Sequence, residues 1–310
     1  MLRLLKGNIL RILILFFATF LLADLIQPIK PVKFNLQKAL LGKELFFDKN
    51  FSADKNVSCA SCHSPAEGWA DKRKISIGVF GRKGNIQSPT VLNAVFNFRQ
   101  FWNGRAKDLK EQIRGPVCNY DEMGLSIKTI EKILNSSPYK EKFQKIYHKK
   151  YITYDMFADS VAEFEKALVT PNSKFDRFLR KEVNLTKKEK RGYFLFKRYG
   201  CITCHNGINI GGNSFQKIGV IFPLKKCVRD RFEITRKPFD KCLYKVPTLR
   251  NIALTAPYFH NASADNLYDA IQEMAYRNLG FKFDKEDALA IEAFLKTLTG
   301  KTPEIMGYKK

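Results

Sequence analysis

The chain has 310 residues, 45% of them hydrophobic, which is enough apolar material for two domains of ordinary size with separate cores and too much for a disordered chain. The formal net charge of +24 favours acidic partners or an anionic membrane surface. Because Lys and Arg are spread along the whole sequence and not gathered in one stretch, nucleic acid is excluded as a partner.

The first element is an export segment. Arg3, Lys6 and Arg11 precede an apolar run over residues 12–23, the pattern of a secretory signal. Leu21 stands where cleavage after Ala23 would want a small residue, so residues 1–30 are either a signal peptide or an uncleaved membrane anchor. In both cases the basic flank keeps the start of the chain in the cytoplasm and sends the body outward, which in a bacterium would be the periplasm.

Next comes Cys59-Ala60-Ser61-Cys62-His63, and much later Cys201-Ile202-Thr203-Cys204-His205. Each has the Cys-x-x-Cys-His form of a covalent c-type haem attachment site, in which two thiols become thioethers and the His ligates the iron. Two Cys-x-x-Cys pairs could instead build one zinc site, but that needs no His after either pair and usually has the pairs closer together. Two haem c groups are therefore expected.

Between and around these motifs the periodicity is helical. Residues 154–169 carry Met156, Phe157, Val161, Phe164 and Leu168 at mostly helical spacing, with Pro171 as a stop. Residues 186–199 open on a capping-box pattern from Thr186 to Glu189, present Tyr193, Phe194, Leu195 and Phe196, and end at Gly200 beside the second motif. A further helix starts near Asp284, buries Leu289, Ile291, Phe294 and Leu295, and ends at Gly300. Stretches 77–89 and 207–219 read as loops wrapped around a haem. The expected fold is mainly α, with two cytochrome c-like domains each around one covalently bound haem c, over residues 31–170 and 171–310.

A haem with two protein ligands shuttles electrons, whereas an open iron can bind peroxide. The chain has four His, and with His63 and His205 committed only His148 and His260 are left.

At this point the sequence resembles a family. Residues 88–97 (SPTVLNAVFN), 100–106 (QFWNGRA) and 246–260 (VPTLRNIALTAPYFH) look like the bacterial di-haem cytochrome c peroxidases, whose relatives include the MauG proteins. The resemblance covers nearly everything after the export segment. It implies that the N-terminal haem is the low-potential, peroxide-reacting one, and that the C-terminal haem is the high-potential entry for electrons. Met274 falls where the family has the axial Met that pairs with His205, a ligation that raises potential. Glu122 matches the active-site acid and Gln112 the distal amide. A carboxylate over an open iron can move a proton from the near oxygen of peroxide to the departing one. Trp102 matches the tryptophan between the haems. A calcium ion is implied at Gln87, where the family usually has Asn, and at the carbonyls of Thr255 and Pro257. Hydrogen peroxide, a small cytochrome c or cupredoxin donor and a homodimer are implied as partners.

One position departs from the family. Many members rest with a distal His in the loop that is here residues 76–81, and its place is taken by Val79, which cannot ligate iron. The first haem is therefore expected to be open or water-bound even when fully oxidised. His148 reads as a surface residue and His260 as a structural one near the domain junction. Cys227 and Cys242 flank a basic insert and are expected to pair in an oxidising compartment, leaving Cys118 as the odd thiol. Two other functions stay open: a MauG-like oxidase of a partner protein, against which Met274 argues because MauG has Tyr there, and a non-catalytic di-haem electron carrier.

Overall fold

The computed structural model describes residues 25–308, so the expected export or anchor segment lies, but for its last few residues, outside them. Among the described residues no helix is long and apolar enough to cross a membrane.

Helix α1 (Leu36–Phe47) begins where the Asn35 side chain accepts a hydrogen bond from the Lys38 amide. Helices α2 (Leu109–Cys118) and α3 (Ile127–Ser136) are capped in the same way by Asp108 and Ser126. α4 (Tyr139–Tyr147) and α5 (Tyr154–Ala167) complete the first group. The second group consists of α6 (Lys174–Leu179), α7 (Lys187–Arg198), the short α8 (Phe232–Thr235), α9 (Leu267–Leu279) and α10 (Lys285–Lys296). Thr186 and Glu189 form the capping box read from the sequence. Two short strands, β1 (Phe215–Lys217) and β2 (Leu243–Lys245), pair antiparallel with Phe215 opposite Lys245. They are the one sheet among the described residues.

Buried apolar side chains gather in two clusters. One packs α1, α2, α3 and α5 around Phe46, Phe51, Phe157 and Phe164. The other packs α7, α9 and α10 around Phe175, Phe196, Ile271 and Phe294. The chain ends exchange sides: Ile26 lies in the second cluster and Ile305 in the first. Arg250 and Asp176 form a fully buried ion pair at 2.9 Å, and Arg250 also donates to the Gln27 carbonyl, tying the start of the described chain to the second cluster. Leu289, expected inside, is half-buried, because the neighbouring Ala288 and Ala290 take the inner face of α10.

The two halves are built alike. In the first, α1 crosses α5 so closely that a Cβ on Gly42 would collide with the Ser160 carbonyl and press on Phe164. In the second, α7 crosses α10, and a Cβ on Gly192 would collide with the Ala290 carbonyl and press on Phe294. Asn93 and Asn251 are both left-handed, and their amides donate to the carbonyls of Leu168 and Leu298 respectively. Asp108 caps α2 as Asn266 caps α9. Both asparagine side chains meet on one atom, since Asn93 Nδ2 and Asn251 Nδ2 each donate to Thr170 Oγ1 at 2.8 Å.

Candidate functional site

Each Cys-x-x-Cys-His segment folds as a tight 3-10 turn, Cys59–Ser61 in one half and Cys201–Thr203 in the other. The His amide in each donates to the carbonyl of the first Cys at 3.0 Å, for His63 to Cys59 and for His205 to Cys201. α7 delivers the second turn through Gly200, whose φ of 76° an ordinary side chain adopts only with strain. The four motif cysteines do not converge as a zinc site would require. The only cluster of metal-capable side chains among the described residues is Cys227, Asp230 and Cys242, in which the two cysteines are joined as a disulfide, the pairing expected from the sequence.

Around the first turn lies a partly open cleft. Cys59, Cys62 and His63 line it together with Gln112 and Pro116 of α2, Glu122 of the turn after α2, and Glu165 of α5. Asn119 Nδ2 donates to Glu122 Oε1 at 2.7 Å and so orients that carboxylate. The loop carrying Val79 sits on this turn: the Val79 amide donates to the Glu122 carbonyl at 2.8 Å, and a Cβ on Gly78 would collide with the carbonyls of Asp121 and Glu122. Val79 itself is fully buried in the first apolar cluster and is not part of the cleft wall. His148 is exposed at the end of α4, away from the cleft wall.

Trp102 stands where the halves meet. Its indole Nε1 donates to the Gln87 carbonyl at 2.9 Å, its carbonyl accepts from the Lys245 amide at 2.8 Å, and its ring lies edge-on to His260 at 6.2 Å. His260 stacks on Tyr244 at 4.2 Å, its Nε2 is buried without a hydrogen-bond partner, and burial pulls its pKa down to about 4. Gln87 and Pro257 are buried, as is Thr255. The Gln87 amide donates to the His260 carbonyl at 2.9 Å, which joins the segments that hold these three. Met274 is half-buried on α9.

The family model described as "Di-haem cytochrome c peroxidase" matches residues 36–184. The chain is 45% identical over 286 residues to a cytochrome c551 peroxidase of Nitrosomonas europaea, with 90% of this chain and 86% of that protein covered. The chain belongs to the di-haem cytochrome c peroxidase family. A cytochrome c551 peroxidase of Pseudomonas aeruginosa is 40% identical, with 87% of this chain and 80% of that protein covered. The fold is similar to the crystal structure of a MauG-like protein associated with microbial copper homeostasis, with a TM-score of 0.77 and 25% identity over 88% of this chain and 93% of that one.

The residues present fit the two haems of this peroxidase family. His63 Nδ1 lies 3.2 Å from the Trp69 carbonyl, which assigns the ring proton to Nδ1 and leaves the Nε2 lone pair for a metal. Burial lowers the pKa of His63 and pulls that of His205 down to about 4, so both rings are neutral, the form that ligates iron. His205 Nδ1 is buried with no hydrogen-bond partner, an orphan that the protein alone does not satisfy. Cys59, Cys62, Cys201 and Cys204 are free. Burial pushes the Cys59 thiol up to about 12 and the Cys62 and Cys201 thiols up to about 11, so these three stay protonated.

Three residues of interest gave no usable sequence signal. Pro116 was hidden because its meaning depends on the likeness of the halves: it occupies on α2 the position that Met274 occupies on α9, counted from the caps Asp108 and Asn266. Glu165 reads as one more helix acid, and Lys245 as one more strand lysine. Both are enclosed; burial alone pushes Glu165 up to about 8 and pulls Lys245 down to about 8.

Proposed function

We propose that this chain works in the periplasm as a peroxidase that reduces hydrogen peroxide to two waters, using two electrons and two protons, with the electrons supplied by a small cytochrome c or cupredoxin. The observation that carries this reading is the single cleft that holds Cys59, Cys62 and His63 with Gln112 and Glu122. Two haem c groups would supply a peroxide-binding iron in residues 31–170 and an electron entry in residues 171–310. Cys59, Cys62 and His63 hold the first, and Cys201, Cys204, His205 and Met274 the second.

The rest of the chemistry belongs to the chain. Glu122, oriented by Asn119, takes a proton from one peroxide oxygen and returns it to the other, while the Gln112 amide donates to the bound oxidant. Trp102 bridges the halves through its contacts with Gln87 and Lys245 and couples electron entry to peroxide reduction. Gln87 and the carbonyls of Thr255 and Pro257 hold a calcium ion at this junction. The Gln87 Nε2 is directed at the Asp71 carbonyl, 3.3 Å away, which leaves Oε1, the atom a hard cation takes. A homodimer and attachment or export through residues 1–30 complete the reading.

Among the described residues, no side chain near the cleft would close a haem held by Cys59, Cys62 and His63 in the oxidised protein. Val79 and Pro116 offer no donor, and His148 is exposed and remote from the cleft wall. A stopped-flow mix of peroxide with fully oxidised holoprotein tests this, with a half-reduced sample alongside. Rapid change of the haem spectrum and donor oxidation in both samples are expected. Reaction only after half-reduction would mean that another group closes the first iron. Spectral reaction without donor oxidation would favour the oxidase of a partner protein, and silence in both samples the electron carrier.

A further inference from the structure

The pairing of the two halves isolates one residue. Gly42 and Gly192 mark the same helix crossing, and the side chains they press on, Phe164 and Phe294, are therefore equivalent. The residue after each points the same comparison at Glu165 and Leu295, which are both 5% exposed. One fold thus buries a carboxylic acid in the peroxide-reacting half and a leucine in the electron-entry half. The fold itself does not need the acid, since its twin does without one. A buried carboxyl is costly to ionise without a partner. Among the described residues no hydrogen bond or ion pair of the Glu165 side chain offsets that cost.

Its surroundings place the acid in the wall of the cleft. Glu165 lines the same cleft as Cys59, Cys62 and His63, and its charge acts on the Cys59 thiol, the group that would form the thioether. From the distal turn the titratable groups lining the cleft are Asp121 and Glu122; α1 and α2 contribute Phe46 and Gln112 there, and no charge. The His63 ring packs near Phe46 and its Nδ1 is held by Trp69, so neither contact involves Glu165.

We propose that Glu165 is a positioning residue acting through the charge of the first haem: its carboxyl takes up a proton when that haem is reduced and releases it when the haem is oxidised. For each electron that the donor would give to a haem held there, one proton from solvent would go to a Glu165 oxygen, so the buried charge of the cleft would be the same before and after. An oxidised haem, more positive by one charge, favours the carboxylate, and a reduced haem favours the neutral acid. The carboxylate in turn favours the oxidised iron, which helps to make this haem the low-potential one. With the acid pushed up to about 8 by burial, the exchange falls within the working range of a periplasmic enzyme. This inference rests on the reading that residues 59–63 hold a haem.

The test is a spectroelectrochemical titration of each haem in the holoprotein from about pH 6 to 10. In the parent protein the first haem's potential should fall by about 59 mV per pH unit over a window near pH 8, the value for one proton per electron, and the second should stay flat. In Glu165→Leu, which installs the twin's residue, and in Glu165→Gln, that slope should vanish and the first haem should be higher in potential at alkaline pH. The second haem's unchanged potential reports that the fold is intact. A flat first haem in the parent protein, or a slope that survives in both variants, overturns the proposal. So does a slope that disappears in Glu122→Gln, because the proton would then belong to the distal acid. A protein lacking any first-haem signal would instead defeat the haem assignment itself.

Discussion

At the scale of single residues, the first half of this peroxidase puts three acids near one cleft in different surroundings. Asp121 is at the mouth, Glu122 is held by Asn119, and Glu165 is enclosed with no partner. The Glu122→Gln variant keeps the size of the side chain and its contact with Asn119 but cannot carry a proton. Turnover with peroxide should fall by about 10²–10⁴-fold, while haem content and the Soret spectrum of the oxidised form stay as in the parent. Equal turnover would move the proton transfer elsewhere. Glu122 was legible only because a family resemblance picks it out; as a lone acid in a turn it has no local pattern. Glu165 was not legible at all, because what distinguishes it is enclosure by residues far away in the chain.

At the scale of elements, the helix crossings depend on two glycines. Gly42 lets α1 approach the backbone of α5, and Gly192 lets α7 approach that of α10. Gly42→Ala forces the pair apart, and overpacking of this kind costs about 1–3 kcal/mol. Thermal unfolding followed at the first haem should shift to lower temperature, and an unshifted curve would show that the crossing has room. The helices themselves were largely readable: α5 and α7 lie where periodicity and capping residues put them to within two residues, and α10 starts at its cap but stops at Lys296, four residues before Gly300. The basic insert between β1 and β2 had no such pattern. It is closed by Cys227–Cys242, with a sequence separation of 15. Closing a loop of that length contributes about 3 kcal/mol in the chain-entropy model. Alkylation without reductant should add no label at this pair, and Cys227→Ser with Cys242→Ser should lower the denaturation midpoint; two alkyl additions would reject the bridge.

For the molecule as a whole, the two halves are joined by polar contacts at their shared centre and by the exchange of chain ends. Thr170 is 3% exposed, and its hydroxyl accepts from both Asn93 and Asn251. Thr170→Val keeps the shape and removes the acceptor, stranding two buried amide donors at about 1–3 kcal/mol each. Both haem signals should then melt earlier and together. If only one moved, the hydroxyl would serve one half and the junction would be held elsewhere, for instance by Trp102 and Gln87.

The sequence by itself determined the chemistry that is written locally: two haem attachment pentapeptides, amphipathic helices with their caps, and the absence of a His at position 79. Such features are decided within a few residues, by covalent spacing and by the helical period, and need no partner to be read. Only the tertiary structure decided that Pro116 answers Met274, that Glu165 answers Leu295, and that Asn93 and Asn251 meet on Thr170. Short strings do recur, Pro89-Thr90 to Asn93 and Pro247-Thr248 to Asn251, but the helix crossings at Gly42 and Gly192 fall at a different spacing, so the correspondence does not run through the chain in one register. It becomes visible where backbones touch, since steric exclusion at Gly42 and Gly192 fixes which residues are equivalent, and burial then decides which of them carry charge at a cost.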